Sequence, residues 1–380
     1  GAPEGVKGIS LFVVPKFMVN ADGSLGARND VHCVSIEHKM GIKASPTAVL
    51  QYGDNGGAIG FLVGEENRGL EYMFIMMNAA RYAVGVQGIA IAERSYQKAV
   101  QYAKDRVQSR PVDGSMNTSA PIIHHPDVKR MLMTMRASTE GCRALATVAA
   151  AAYDAAHHHP DAEVRKQNAL FYEFMVPLVK GYSTEMSLEV TSLGVQVHGG
   201  MGFIEETGAA QYYRDAKILT IYEGTTAIQA NDLVGRKTAR DGGQTAKALA
   251  GQVEQTENEL LSNANADAQA VGRRLKAARL AFLDVVNFVA GNAKAQPNDV
   301  YAGSVPYLML TGNLMAGWQM GRALLVALSQ SAQGQDKAFM DAKVTTARFY
   351  ADHLLSRAPG VRDSIVEGAK CVTELSLEAF

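Results

Sequence analysis

Glu223 stands between Tyr222 and Gly224 as the one charged residue in a run, Ile218 to Ala230, that is otherwise neutral. A carboxylate isolated among neutral neighbours is a candidate functional residue, because perturbed surroundings of that kind cluster at functional sites. The residues alone leave a second reading open: an acid near a helix N-terminus is favoured by the helix dipole, and for a single Glu that structural role is the commoner one. A second suggestive cluster is HGGMGF, with Gln196 just before it. Gly199, Gly200 and Gly202 put three glycines within four positions, which ends a helix and lets another group approach the backbone closely. The histidines are less suggestive. His124–His125 and His157–His159 each adjoin a proline at a helix boundary, with no Cys or acidic partners, so they are expected to be solvated loop residues and no metal site is expected.

The elements that must carry these residues follow from periodicity and punctuation. From Gly8 to about Gly64, short alternating stretches (ISLFVVP, VHCVSI, AVLQYGD) separated by Gly and Asn predict a small β unit. From about Leu70 the period turns helical, with Tyr72, Met73, Met76, Met77 and Ala80 on one side, and predicts one helix of about 35 to 40 residues. After the loop SRPVDGSMNTSAP a second helix starts near His125 and Asp127. A third starts near Ala162 and runs towards Val197, and the three imply a bundle. Beyond Arg240 comes a polar segment, DGGQTAKALAGQVEQTENELLSNANADAQ, then amphipathic stretches around 270–292, 304–329 and 336–357 that predict a second helical unit.

Composition bounds the class. A chain of 380 residues, 47% hydrophobic, can bury a sizeable core. Lys plus Arg total 37 against 38 acidic residues, so there is no global field to draw it to nucleic acid or an anionic membrane. Cys33, Cys142 and Cys371 form no CxxC pair and point to a reducing cytoplasm. The start of the chain reads as neither signal nor transit peptide but as a strand entered mid-domain. The apolar stretch SVPYLMLTGNLMAGWQMGRALLVAL contains Asn313, Gln319 and Arg322, which predicts a buried helix and no integral membrane segment.

IYEGT, preceded by RDAK and by QVHGGMGF, resembles in order and spacing the pattern of the acyl-CoA dehydrogenase family. The likeness extends through KMGIKASPT and LVGEENRGLEYMF to cover roughly residues 8–238. The helical extension resembles that of the 3-methylmercaptopropionyl-CoA dehydrogenase subgroup. The resemblance implies a mainly α fold with a small β-domain portion: residues 1–66 as the C-terminal part of a middle β-domain, 67–240 as the catalytic helical bundle and 241–380 as the extension. It also implies that an N-terminal helical domain and part of the flavin pocket lie outside this chain.

By the same resemblance, the reaction is FAD-dependent α,β-dehydrogenation of an acyl-CoA thioester, with Glu223 taking the α-proton while the β-hydrogen leaves as hydride. The thioester carbonyl would be polarised by the Glu223 backbone N–H and a flavin ribityl hydroxyl. Some branches place the base one residue before Arg81; that position is Ala80 here, which agrees with Glu223. Asn78, Arg81 and Gly224 fall on the substrate side, Asn78 standing where an acidic residue is common. Arg106, Gln196, Gly199, Gly200 and Thr225 fall on the cofactor side, Arg106 suiting pyrophosphate oxygens across a subunit boundary. Ser109 and Arg110 replace a family Phe and Gly, and Ala227 replaces a family Gln. The Met-rich stretch YMFIMMN is core filling that could also line an acyl pocket. Partners implied are the acyl-CoA, an electron-transferring flavoprotein and a second copy of the chain, in at least a dimer. An acyl-CoA oxidase and a non-catalytic acyl-CoA-binding or oligomerisation module remain alternatives, and acyl chain length stays open.

Overall fold

A computed structural model describes all of residues 1–380. The chain divides into two compact units, Gly1–Ala80 and Arg81–Phe380.

The first unit holds six short strands paired antiparallel: β1 (Leu11–Val13) with β6 (Phe61–Val63), β2 (Phe17–Val19) with β3 (Leu25–Arg28), and β4 (Val31–Ile36) with β5 (Ala48–Tyr52). A bulge interrupts β4 between Cys33 and Ser35. Strand pairs this small lack a core, and polar side chains join them instead. Asn29, buried, donates through Nδ2 to the carbonyls of Pro15 and Ile59 at 2.9 and 2.8 Å and accepts through Oδ1 from the Ile59 N–H at 3.0 Å. Apolar side chains such as Phe12, Val34, Ile36 and Phe61 remain exposed.

Helix α1 (Gly69–Asp105) has the single-helix length that the periodicity predicts; its first turns belong to the first unit and the remainder to the second. By length and composition alone α1 could cross a membrane, a criterion that the core helices of soluble proteins also meet. Its Val84, Ile89, Ala92 and Ala99 are buried in the second unit. Helix α2 (Pro126–His158) opens with Pro126 at its first position, where a missing N–H costs nothing. Helix α3 (Ala162–Pro177) is capped by Asp161, which accepts the Glu163 N–H at 2.8 Å. Pro177 has no N–H to donate, and the helix widens there into a π-turn, Leu178–Tyr182, before resuming as α4 (Ser183–His198). Backbones meet where glycines allow it: a Cβ on Gly85 of α1 would lie 2.3 Å from the Val179 carbonyl oxygen, and one on Gly194 of α4 would lie 2.2 Å from Ser95 Oγ.

Short helices α5 (Ala209–Lys217) and α6 (Thr226–Val234) follow, then the extension: α7 (Gln244–Ser262), α8 (Ala266–Asn292), α9 (Pro297–Ala302), α10 (Ser304–Ala332), α11 (Lys337–His353), α12 (Ala358–Val366) and α13 (Ala369–Thr373). The mainly α class is as expected, and the stretch with Asn313, Gln319 and Arg322 is the buried helix α10. The boundary proposed near residue 240 falls inside the second unit, whose core runs continuously from Phe174 and Met175 to Tyr307, Leu314 and Tyr350.

One element has no plain apolar stripe in the sequence. The polar segment after Arg240 is largely helix α7, which buries Leu249, Val253, Thr256, Glu257 and Leu260. Two of those five are polar and hide the stripe: Thr256 accepts from Trp318 Nε1 at 2.8 Å, and Glu257 pairs with Arg279 at 2.7 Å. Both ends of that ion pair are buried, with side chains 2% and 7% exposed. Removing one partner strands the other charge, so Glu257→Ala is expected to cost about 3 kcal/mol of unfolding free energy. Urea titration checks this, and a loss below about 1 kcal/mol would mean that Glu254, 2.8 Å from the same guanidinium, replaces the pair.

Candidate active site

Glu223 occupies a turn between the end of α5 and the N-cap of α6. Its φ is +54° and that of Gly224 is +87°, two consecutive left-handed residues. Gly224 adopts this freely, whereas for a Glu it costs about 1–2 kcal/mol. Strain of this kind persists where the surroundings over-determine the backbone, as at functional sites.

Those surroundings are specific. Fully buried Lys180, on the π-turn, donates from Nζ to the Gly224 carbonyl at 2.6 Å. Gln229 Nε2 lies 3.4 Å from the same oxygen. Thr225 caps α6, accepting the Ile228 N–H at 3.3 Å through its hydroxyl. Thr226, buried, donates to Glu185 Oε1 at 2.5 Å. The Tyr222 hydroxyl donates to Gln87 Oε1 on α1. Burial raises the Tyr222 pKa, the Glu223 charge adds to the rise, and the Gln87 bond opposes it.

Arg81 approaches the same place from α1. Its Nε is buried without a hydrogen-bond partner, and its charge helps lower the pKa of Lys180, so the guanidinium lies within electrostatic reach of the ammonium. Glu223, Gly224, Thr225 and Arg81 are therefore gathered around Lys180, while the Glu223 side chain itself is exposed. A lone exposed acid near a helix N-terminus does not need a strained backbone, which weighs against the dipole reading. Asn78 lies in the first unit, exposed on α1.

The other candidates form a second group. Arg106 lies just past α1, where residues 106–109 pair with 120–122 through the Val107–Pro121 bridge, and Arg110 is exposed next to Ser109, whose φ is +60°. Gln196 is exposed, and its carbonyl accepts the Gly199 N–H that ends α4. Tyr102 of α1 stacks on His198 with ring centroids 4.4 Å apart, so the end of α1 and the glycine turn are neighbours. At about 1.5 Å of rise per residue, the stretch of α1 between Arg81 and Arg106 spans about 37 Å, so the two groups lie far apart on one chain. The His clusters make backbone bonds: His125 Nε2 to the Gln108 carbonyl and His157 Nδ1 to the Tyr153 carbonyl, each 2.8 Å.

Lys180, Gln229, Thr226 and Glu185 were not singled out from the sequence. The available signal was a lysine two residues after Leu178 and three after Pro177, a lone charge in the run Met175–Tyr182.

The acyl-CoA dehydrogenase C-terminal domain family model matches residues 67–237, and that described as acetyl-CoA dehydrogenase C-terminal like matches residues 249–376. The chain belongs to the acyl-CoA dehydrogenase family. It is 56% identical over 376 residues to 3-methylmercaptopropionyl-CoA dehydrogenase of Ruegeria pomeroyi, covering 99% of this chain and 63% of that relative. It is 38% identical over 406 residues to the broad-specificity linear acyl-CoA dehydrogenase FadE5 of Mycobacterium tuberculosis, covering 100% of this chain and 64% of that protein. The chain thus spans less than two thirds of the length of these acyl-CoA dehydrogenase relatives. The structure of Caenorhabditis elegans ACDH-11 in complex with C11-CoA shares its fold, with a TM-score of 0.75 at 20% identity over 96% of this chain and 58% of that one.

Two stability predictions test the backbone description. Glu223→Gly is expected to raise unfolding free energy by about 0.5–1 kcal/mol, relief of the left-handed strain exceeding the added chain entropy; a destabilised variant would show that the turn is not strained. At the glycine turn, Gly199 has φ +57°, whereas Gly200 has an ordinary φ, and a Cβ on either would meet nothing within 4 Å. Gly199→Ala should therefore cost about 1–3 kcal/mol and Gly200→Ala less than about 0.5 kcal/mol in the same denaturant titration.

Proposed function

We propose that the protein is an FAD-dependent acyl-CoA dehydrogenase acting on 3-methylmercaptopropionyl-CoA or a fatty acyl-CoA. The product would be the trans-2-enoyl thioester. The single observation that carries the reading is Glu223 on its strained, propped turn beside an unpartnered Arg81 nitrogen. The 56% identity to a dehydrogenase of that name supports the substrate class.

In this reading Glu223 removes the α-proton and its backbone N–H donates to the thioester oxygen as enolate charge develops, a stabilisation that grows in the transition state. Gly224, lacking a side chain, leaves room for the acyl group. Asn78 and Arg81 supply donors on the substrate side. The exposed Glu223 must be covered by the bound substrate and cofactor, since proton removal from carbon needs water excluded from the site.

The residues present fit a flavin dinucleotide. Gly199 and Gly200 border open space, and Arg106, exposed just past the end of α1 that stacks on His198, has a guanidinium suited to phosphate. Gln196 would complete that side, and Thr225, two residues after Glu223, would contact the cofactor at the substrate end. The flavin, when bound, accepts the β-hydrogen as hydride. Because the Arg106 group lies about 37 Å along α1 from Arg81, we assign it to the cofactor of a second copy, in at least a homodimer. An electron-transferring flavoprotein would take the electrons onward. Residues 1–66, 67–240 and 241–380 would be β-domain portion, catalytic bundle and extension. The unpaired Cys33, Cys142 and Cys371 suit the cytoplasmic location we assign.

The test is anaerobic addition of acyl-CoAs, short, thioether-containing and long, to the complete flavin-loaded protein, with flavin absorbance as the readout. Bleaching that ranks the substrates is expected; a flavin that no acyl-CoA bleaches would leave a binding or structural role as the better account, and peroxide formed in air would point to an oxidase. Glu223→Gln should keep flavin and ligand but lower turnover by about three orders of magnitude or more, and near-normal turnover would put the base elsewhere.

A further inference from the structure

Lys180 lies beneath the turn as a buried charge to which the reaction gives no direct part. From the π-turn its ammonium lies within electrostatic reach of Glu185 on α4, Glu223 on the turn and Arg81 on α1. Burial lowers its pKa to about 8; Arg81 adds to the lowering, and Glu185 and Glu223 oppose it. Its Nζ donates to the Gly224 carbonyl, which otherwise has only the longer bond from Gln229.

The seat of this lysine is fixed on several sides. On one side α1 passes so close that a Cβ on Gly85 would lie 2.3 Å from the Val179 carbonyl oxygen. On the other, α10 of the extension closes in: a Cβ on Gly181 would lie 2.5 Å from Leu308 Cδ2, and one on Gly312 would lie 2.3 Å from Tyr182 Cγ. The Tyr182 hydroxyl is 2.9 Å from that of Tyr350 on α11. Clamped this way, the π-turn holds the ammonium at one depth, because close-packed neighbours leave it no room to shift.

We propose that Lys180 is a positioning residue for Glu223: by holding the Gly224 carbonyl it fixes the left-handed turn that aims the carboxylate and backbone N–H of residue 223, and helix α10 keeps it seated. The proposal rests on the reading of Glu223 as the base. It also gives the C-terminal extension a part in catalysis, as the wall against which the turn is braced. A methionine at position 180 would fill similar space yet donate nothing to Gly224, so it separates positioning from packing.

In the complete flavin-loaded protein, Lys180→Met is expected to lower kcat on the order of 100-fold, the cost of misplacing a reacting group by about an ångström. KM for the acyl-CoA should stay within about threefold of wild type, since ground-state binding is untouched, and flavin content should not change. Unaltered kcat, or a loss confined to KM, would overturn the proposal. A second measurement needs neither turnover nor a folded Met variant: the Lys180 ammonium is titrated by nitrogen-15 NMR in wild type and in Glu223→Gln. Removing the nearby carboxylate should lower the Lys180 pKa, and an unchanged value would show that the ammonium does not lie beneath the turn of residue 223, which overturns the proposal. A wild-type flavin that no acyl-CoA bleaches would sink the reading of the reaction and the proposal with it, whereas bleaching that Lys180→Met leaves unchanged would sink the positioning role alone.

Discussion

The hydrogen bond from the buried Lys180 ammonium to the Gly224 carbonyl is the contact on which the candidate site depends. Taking an ammonium out of water costs several kcal/mol, and a carbonyl acceptor with two nearby carboxylates offsets only part of that. Burial pushes the pKa of the group down to about 8, in keeping with a charge that its surroundings compensate only in part. A lysine held at such a cost is rarely there for stability alone. Here it fixes the backbone of a turn in which a Glu carries a φ of +54°. The energy spent on the charge and the energy stored in the turn are two sides of one arrangement, and each explains why the other persists.

That arrangement descends from sequence through a short causal chain. Pro177 denies one backbone donor, the helix widens into a π-turn, and the widened turn carries Lys180 inward. Gly85, Gly181 and Gly312 then let α1 and α10 close on the turn to contact distance. Larger residues at these three places would push the helices apart and give the ammonium room to move. The extension is therefore continuous with the catalytic bundle in packing as well as in chain, which is why residues 81–380 form one unit rather than two.

What could be seen in the sequence, and what could not, follows the same division. Long helices with a regular apolar stripe were plain: α1, α2 and α10 are where periodicity puts them. Glu223 and the glycine turn were legible because each breaks its surroundings, a charge in a neutral run and glycines ending a helix. Helix α7 was hidden because Thr256 and Glu257 sit on its buried face, and their partners Trp318 and Arg279 are remote in sequence. Lys180 was hidden for a related reason. Its value depends on a carbonyl more than forty residues away, and a π-turn has no period that a pattern can detect.

The geometry of α1 carries one more constraint. A helix is a stiff ruler, and Arg81 and Arg106 are marked on it about 37 Å apart. Tyr102 stacked on His198 ties the far mark to the glycine turn, so Arg106, Gln196, Gly199 and Gly200 keep company with one another and not with Glu223. If both groups serve one kind of ligand, as the acyl-CoA dehydrogenase fold leads us to propose, then one chain cannot close around a single copy of it. In that proposal a second chain would bring its glycine turn to the first chain's carboxylate. On that argument the length of α1 is itself a functional quantity: it sets how far apart the two partial sites of one subunit stand, and so which surfaces of two subunits must meet for either site to be whole.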